Sequence, residues 1–238
     1  MYSLSHFKTT PDEAIKSQIL QMVVDNLTDI SSVAIAPSNP LYNLYQYGVG
    51  FEVHLYLDGM DGRSGIPAEL IIATDPDVPQ TLLGFALYLP AKDDPDACAL
   101  VYLAVARSHR RRGAARALVG AMTARYPHAE VACVAAKVPA FEALGFQVLA
   151  ARGPQVLLNT RDQGTSGLIP LLDVAPIYRS LEIQQIHAYL LNQHGKRAMA
   201  DAEKQRDRHL DHLERQARDL VALRTAVRIG ASNDAAER

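Results

Sequence analysis

A chain of 238 residues is long enough for one domain with a sizeable core plus an appendage, or for two small domains. Its content of 48% hydrophobic and 21% charged residues excludes a largely disordered protein. The formal net charge of −2 excludes a general attraction to nucleic acid or to acidic membrane surfaces, so a cationic cluster in this chain is a local feature.

The cysteines and the N-terminus indicate the cellular compartment. Cys98 and Cys133 are the only cysteines, and both lie in apolar, strand-like surroundings, so no disulfide framework is indicated. The first ten residues lack the basic region and apolar core of a signal peptide, and no apolar run approaches the length of a membrane span. We therefore expect a soluble, cytoplasmic protein without a membrane partner.

The first hundred residues are predicted to contain a strand, a helix and a meander. Alternating residues from Tyr2 to Phe7 favour a short strand. Thr10 as a capping hydroxyl, followed by Pro11, predicts a helix that runs to about Leu27. Apolar runs between turn-forming loops then predict an antiparallel meander of four strands. These strands are Phe51–Leu57, Glu69–Thr74, Leu82–Leu89 and Cys98–Val105.

The last of these runs leads into an arginine-rich loop and then into a helix that extends to about Tyr126. The first turn of a helix leaves backbone N–H groups unpaired and carries the positive end of the helix dipole, so it attracts an anion. Gly113 lets the backbone approach a bulky phosphate closely. Five arginines surround this point, namely Arg107, Arg110, Arg111, Arg112 and Arg116. The stretch therefore predicts a pyrophosphate site.

Three further elements complete this part of the chain. Glu130–Val134 is predicted to be a strand, and Pro139–Leu144 a short helix that ends at Gly145. Phe146–Ala150 and Gln155–Asn159 are predicted to form a final hairpin. Together these elements make a mixed α/β domain, which we assign to residues 1–162.

Two motifs carry a resemblance to a known family. Arg110-x-x-Gly113-x-Ala115, directly after a strand, resembles the acetyl-CoA pyrophosphate loop (Q/R-x-x-G-x-G/A) of the GNAT superfamily of N-acetyltransferases. The segment AFEALGF at residues 140–146 resembles the family's (F/Y)Y-E-x-L-G-F segment. The resemblance covers about two-thirds of the chain and implies a GNAT fold of the α/β (α+β mixed) class. Its central, mostly antiparallel twisted sheet of about seven strands would be split by an acetyl-CoA cleft, and Phe51–Leu57 would be a surplus strand.

The resemblance also implies how acetyl-CoA is bound. The strand end would pair with the pantetheine arm and polarise the thioester carbonyl, and the loop would hold the pyrophosphate. Tyr42, Tyr45 and Tyr47 would fall in the second helix and the acceptor-side loop. The cofactor-binding residues implied are Leu103, Ala104, Val105, Arg110, Arg111, Arg112, Gly113, Ala114, Ala115, Arg116 and Phe141. No metal-ligand spacing occurs in the sequence, so we expect no metal.

The catalytic groups of the family are not found at their usual positions. Phe141 stands where a tyrosine commonly acts as the acid, and Ala99 and Val101 stand where a base often lies. Tyr102 is the first candidate for an acid or hydrogen-bond donor, although a plain core tyrosine also fits. Glu52, His54 and Tyr88, on neighbouring strand candidates, are candidates for the acceptor side. Cys133 either contacts the thioester or is a small buried hydrophobe.

The remainder of the chain is predicted to be helical. We assign residues 163–176 to a linker, 177–230 to a C-terminal helical extension and 231–238 to a disordered tail. Between Lys196 and Arg228 the net charge is +3, which fits a solvated helix face or a contact with nucleic acid or an acidic partner. A 3-4 spacing predicts a short coiled-coil-like seam, formed by Leu210, Leu213, Ala217, Leu220 and Val227.

Two functional hypotheses follow. The first is an acetyl-CoA-dependent N-acetyltransferase that transfers an acetyl group to a primary amine by direct attack. Its C-terminal helices would serve a homodimer or cap the acceptor cleft, and its acceptor, small molecule or macromolecule, is left open. The alternative is a catalytically degenerate GNAT-fold module that binds acyl-CoA or a partner through its helical tail.

Overall fold

The computed structural model describes residues 2–62 and 65–236, with side chains described up to residue 226. The strands are β1 (Ser3–Phe7), β2 (Glu69–Thr74), β3 (Leu82–Pro90), β4 (Ala97–Val105), β5 (His128–Cys133), β6 (Gln147–Arg152) and β7 (Gln155–Asn159). The helices are α1 (Glu13–Asp25), α2 (Leu27–Ile30), α3 (Tyr42–Gly59), α4 (Ala114–Arg125), α5 (Val138–Glu142), α6 (Ala175–Tyr178) and α7 (Leu181–Ala236).

The strands form one seven-stranded sheet in the order β1-β2-β3-β4-β5-β7-β6. All neighbours are antiparallel except β4 and β5, which run parallel. The parallel pairing extends from Ala97 opposite His128 to Leu100 opposite Val131 and stops there, so the two strands diverge beyond this point. The predicted GNAT-type sheet, mostly antiparallel and split between two strands, is confirmed.

Two apolar cores cover the faces of the sheet. Phe85 and Leu87 of β3 belong to the core that α1 and α3 cover, whereas Ala86 and Tyr88 belong to the core that α4 covers. Because β3 is buried on both faces, its sequence is a continuous apolar run rather than an alternation of apolar and polar residues.

The predicted strand Phe51–Leu57 is wrong, because these residues lie within the helix α3. The buried residues Val49, Val53, Tyr56 and Leu57 recur at a helical spacing and face the core. The segment is rich in aromatic and branched residues, which favour strands, and this composition concealed the helical period. The surplus strand is therefore absent from the described residues, and the loop after residue 57 is no hairpin turn.

The start of the first helix also differs from the prediction. Asp12 caps α1 in place of Thr10, since its Oδ1 accepts a hydrogen bond of 2.9 Å from the backbone N–H of Ile15. The hydroxyl of Thr10 instead donates to the carbonyl of Leu57 at 3.1 Å, and so ties α1 to α3.

The C-terminal part packs on the rest of the chain. Gly195, with φ 82° and ψ 159°, breaks α7 into two helical parts. Met199 and Ala202 are buried in the core beside α3, and Leu213 and Ala217 are also buried. The predicted coiled-coil-like seam thus packs in part within the chain itself. The helix extends to Ala236, and residues 237 and 238 of the predicted disordered tail lie outside the described residues.

The predicted linker is attached to the domain by hydrogen bonds. The backbone N–H of Lys92 donates to the carbonyl of Leu168 at 3.0 Å, and the backbone N–H of Leu172 donates to the Tyr56 hydroxyl at 3.0 Å. The domain boundaries at 162 and 177 stay predictions. None of the helices within the described residues has both the length and the apolar character needed to cross a membrane.

Candidate active site

The divergence of β4 from β5 opens a cavity of about 300 Å³. One wall is β4 from Leu100 to Val105, and the other is the end of β5 with the segment that follows it. Because β4 forms no pair with β5 beyond Leu100, the backbone on that edge faces the cavity instead of a neighbouring strand. We call this space the cofactor cavity.

The helix α4 begins at one end of the cofactor cavity. Gly113 precedes it in the left-handed conformation, with φ 90°, which an L side chain rarely adopts. Within the described part of the chain no side chain caps this helix, so the first backbone N–H groups of α4 have no capping partner there. The hydroxyl of Tyr2 donates to the carbonyl of Arg112 at 3.0 Å and steadies the loop.

The residues implied for cofactor binding divide into two groups. Six line the cofactor cavity, namely Leu103, Ala104, Val105, Arg110, Ala115 and Phe141. Arg111, Arg112, Gly113, Ala114 and Arg116 belong to the adjoining loop and helix start and do not line it. Arg116 donates to the carbonyl of Ala143 at 3.1 Å, and Arg107 donates to the carbonyl of Asp25 at 2.9 Å.

An acidic side chain joins the two walls of the cofactor cavity. The Asp29 carboxylate accepts from Arg110 Nη2 at 2.8 Å and from Lys137 Nζ at 2.6 Å. Burial opposes the charge of Asp29, but the hydrogen bonds from Lys137 and Arg110 outweigh it and lower the pKa of this carboxyl. Arg110 follows β4 and Lys137 follows β5, so this contact, here called the Asp29 bridge, links both sides of the split.

A second cavity of about 440 Å³ adjoins the first. The two share lining residues, among them Leu100 and Tyr102 of β4, Val131 of β5 and Gln155 of β7. The second cavity has walls from α3, β4, β5 and α6 and is here called the acceptor cavity. It also contains Ala99 and Val101, the two positions where the family often has a base.

The helix α3 supplies a carboxyl group to the acceptor cavity. Glu52 lines this cavity, and its side chain is hydrogen-bonded to Tyr102. Burial raises the pKa of Glu52, although the hydrogen bond to Tyr102 opposes the shift. Burial and the neighbouring Glu52 also raise the pKa of Tyr102 well above its ordinary value. The phenol therefore stays protonated and donates a hydrogen bond to the carboxyl group of Glu52. Tyr102 lines both cavities.

The other catalytic candidates have different surroundings. His54 pairs with Asp58 at 3.2 Å on α3 and lines neither cavity. Tyr88 lies in the α4-side core, 2.6 Å from His6 and 3.0 Å from Glu69, and lines neither cavity. Cys133 lines the cofactor cavity, where burial raises the pKa of its thiol to about 12 and keeps it protonated.

Sequence reasoning missed several lining residues, and Asp29, Lys137, Glu130 and Tyr178 matter most to the chemistry of the two cavities. Asp29 and Lys137 are 108 positions apart, and no local pattern connects them. Glu130 lines the acceptor cavity from β5, opposite Ala99 in the strand register. Tyr178 reaches it from the C-terminal part. Lys137 had the one local signal, because it lies three residues after the predicted strand Glu130–Val134.

Comparison with known proteins gives a family match and structural neighbours. The model of the Acetyltransferase (GNAT) family matches residues 42–146. The PaiA N-acetyltransferase of Thermoplasma acidophilum, solved with coenzyme A, is 10% identical with a TM-score of 0.51, over 67% of this chain and 99% of that chain. At this identity the likeness shows the fold alone.

Two further solved structures have lower TM-scores. Diaminobutyrate acetyltransferase EctA of Paenibacillus lautus, solved with L-2,4-diaminobutyric acid and coenzyme A, is 14% identical with a TM-score of 0.43, over 67% of this chain and 95% of that chain. A GNAT-family acetyltransferase of Staphylococcus aureus is 8% identical with a TM-score of 0.46, over 68% of this chain and 100% of that chain. No curated protein sequence matches the chain.

Proposed function

We propose that this chain, whose residues 42–146 match the model of the Acetyltransferase (GNAT) family, transfers the acetyl group of acetyl-CoA to a primary amine by direct attack. One observation carries the proposal: the cofactor cavity, which begins at an uncapped helix N-terminus, is joined at Tyr102 to a second cavity that holds a carboxyl group of raised pKa. A candidate anion-binding site, the N-terminus of α4, and a candidate base, Glu52, thus lie at the two ends of one continuous cleft.

The residues of the cofactor cavity fit acetyl-CoA. The first N–H groups of α4 and the cations Arg110 and Lys137 suit a pyrophosphate. The unpaired edge of β4 suits the amide groups of the pantetheine arm, and apolar residues such as Phe141 suit its alkyl portions. Acetyl-CoA supplies the activated thioester, whereas the chain supplies binding and proton transfer.

Glu52 is the proposed general base. A general base works best when its pKa lies near the operating pH, and burial shifts the pKa of Glu52 in that direction. Tyr102 positions Glu52 through their hydrogen bond. Tyr102 lines both cavities, so it can also relay a proton. It would accept the proton that Glu52 takes from the amine and donate its own proton to the CoA thiolate that departs as the C–S bond breaks.

Direct attack on the thioester is favoured over an acyl-enzyme route. An acyl-enzyme on a cysteine would need a thiolate, and Cys133 is the cysteine that lines the cofactor cavity. Its thiol stays protonated at physiological pH because burial raises its pKa to about 12. The alternative, a module that binds acyl-CoA without turnover, differs from the proposal in one observable: it releases no CoA thiol when an amine is added.

The test combines a thiol-release assay with a matched pair of variants. We expect Glu52→Gln to lower kcat/KM by about 10²- to 10⁴-fold, as is typical for the loss of a general base, with CoA affinity unchanged. His54→Gln, on the same helix but outside both cavities, is the control. Binding of CoA without amine-dependent thiol release in the unmodified protein would refute the enzyme and support the module.

Assembly as a homodimer is also proposed, with a restriction on the residues that can form it. Leu213 and Ala217 are buried within the chain and are not available to a partner. Leu181, Tyr189 and Leu223 are exposed on α7 and could serve instead. The mass of the full-length protein in solution, measured by light scattering, tests this proposal.

A further inference from the structure

We propose that the acceptor is a small monocationic amine with an apolar alkyl or aryl body and no carboxylate, and that residues 171–178 recognise this body. The inference rests on the proposed function. It concerns a part of the chain that lies outside residues 42–146, the segment that matches the family.

Apolar and aromatic side chains from two parts of the chain line the acceptor cavity. Leu171, Val174 and Tyr178 line one side, and Tyr45 and Val49 of α3 line the cavity as well. All five present apolar or aromatic surface, which suits an alkyl or aryl group. A volume of about 440 Å³ lies within the range typical of small-molecule sites and is too small for a protein domain.

The wall formed by residues 171–178 is held in place. Gly48 lies so close to Tyr178 that a Cβ at this position would be 2.7 Å from the phenol oxygen. The rings of Tyr45 and Tyr178 lie 5.9 Å apart, and Tyr45 is in turn hydrogen-bonded to Arg206 of α7. Ile177, next to Tyr178, is buried. The C-terminal wall is therefore a fixed part of the cavity, and a glycine on α3 makes room for it.

The charged side chains of the acceptor cavity are mostly acidic. Glu52 and Glu130 line the cavity. Among the residues that the structure describes, Arg152, exposed on the hairpin, is the one cationic side chain that lines it as well. Glu130 is fixed by a hydrogen bond of 2.7 Å from the Thr165 hydroxyl. Two carboxyl groups and one exposed guanidinium leave an excess of one negative charge, which favours an acceptor with one positive charge. Like charges brought together on binding are strongly unfavourable. A carboxylate on the acceptor would meet this repulsion.

The test measures acceptor preference with saturating acetyl-CoA. 2-Phenylethylamine and hexylamine are the probes. Their matched counterparts are phenylalanine, which adds a carboxylate to the first, and 6-aminohexanoic acid, in which a carboxylate replaces the terminal methyl group of the second. We expect kcat/KM at least about tenfold higher for each amine than for its counterpart, in line with the cost of bringing like charges together. A preference for either amino acid would overturn the inference, and equal rates would overturn it as well.

Variants of the wall test the role assigned to residues 171–178. We expect Tyr178→Ala and Gly48→Ala each to raise KM for 2-phenylethylamine at least about fivefold, with the Kd of CoA unchanged, since both alter the wall and neither touches the cofactor cavity. Tyr189→Ala, an exposed tyrosine on α7, is the control. Should Tyr178→Ala fail to fold, Val174→Ala provides the same readout with a smaller change.

The two proposals fail in different ways. If no amine releases CoA thiol, the proposed function fails. If amines are acetylated but the wall variants leave KM unchanged, the inference about residues 171–178 alone is refuted. If the wall variants raise KM equally for 2-phenylethylamine and methylamine, the wall does not recognise the apolar body, and the inference is again refuted.

Discussion

The Asp29 bridge leads to a prediction about CoA affinity. Arg110 and Lys137 are two cations of the cofactor cavity, and both are paired with the Asp29 carboxylate. A pyrophosphate bound there would have to compete with Asp29 for both. Replacing Asp29 with Asn removes the competing charge and keeps the shape of the side chain. We therefore expect Asp29→Asn to bind CoA more tightly than the unmodified protein.

The size of the effect follows from exposure. The side chain of Asp29 is 35% exposed, that of Arg110 39% and that of Lys137 40%, so solvent screens both ion pairs strongly. A pair of this kind contributes about 0.2–1 kcal/mol. Two pairs together give about 1 kcal/mol, which corresponds to a decrease of about fivefold in the Kd of CoA. The gain should shrink at about 1 M salt, where the screening length falls to about 3 Å.

Isothermal titration calorimetry with CoA at low and high salt provides the measurement. Asp25→Asn is the matched control, because it also removes a nearby negative charge. The Asp25 carboxylate accepts a hydrogen bond from the Gln21 amide at 2.9 Å. A Kd in Asp29→Asn that equals or exceeds that of the unmodified protein would show that Asp29 does not compete with the phosphates. An equal gain in Asp25→Asn would assign the effect to overall charge.

Three further predictions concern pH, the loop and the C-terminal helix. Because burial raises the pKa of Glu52, we expect kcat/KM to fall on the acid side with a midpoint above 4.5, and Glu52→Gln to lose this limb; a profile that the variant leaves unchanged would exclude Glu52 as the base. Gly113→Ala forces an L residue to φ 90° and should weaken CoA binding, measured by titration, about 5- to 30-fold. The control Gly120→Ala, inside α4, should stabilise the protein by about 0.5–1 kcal/mol. Equal CoA affinities of the two variants would refute the assignment of the loop to the pyrophosphate. Ala217→Leu should lower the free energy of unfolding by about 1–3 kcal/mol in a urea titration, whereas the exposed Leu223→Ala should change it by less than about 0.5 kcal/mol; similar values for the two would contradict the packing of α7.

The Asp29 bridge also has a pH dependence of stability with a defined sign. The pKa of Asp29 is lower in the folded protein than its ordinary value of 3.8. Its contribution to the free energy of unfolding is therefore complete above the unfolded pKa and is lost as the pH falls through the folded pKa. Asp29→Asn should thus be less acid-sensitive below about pH 4 than the unmodified protein.

Local patterns were sufficient for most of the sheet. β2, β3 and β4 are apolar runs separated by turn residues, and their strand character follows from composition and spacing. The helix α3 shows where this approach fails. It contains Gly48 and Gly50 with several aromatic residues, all of which lower the helical signal, and its stability comes from the burial of Val53 and Leu57 against α1. Packing between distant segments decides such cases.

The site was predictable where it depends on one loop and unpredictable where it depends on contacts between distant residues. Gly113 marks the proposed anion site, and its left-handed conformation is a requirement of the local chain. Glu52 was named as an acceptor-side residue, yet on the wrong kind of element. The Asp29 bridge joins residues from three separate parts of the chain, and sequence spacing carries no information on such a contact.

The C-terminal part cannot be treated as a removable appendage. Tyr178 lines the acceptor cavity, and the side chains of Ile183, Leu190, Met199 and Ala202 complete the core beside α3. Removal of the chain from Gly164 would expose this apolar surface and delete one wall of the cavity, so any change of mass or activity would reflect misfolding as much as lost assembly. A substitution at an exposed position of α7 separates these effects. If α7 mediates a homodimer, Leu223→Glu should yield a monomer with unchanged CoA affinity, since Leu223 is exposed and contributes to neither cavity.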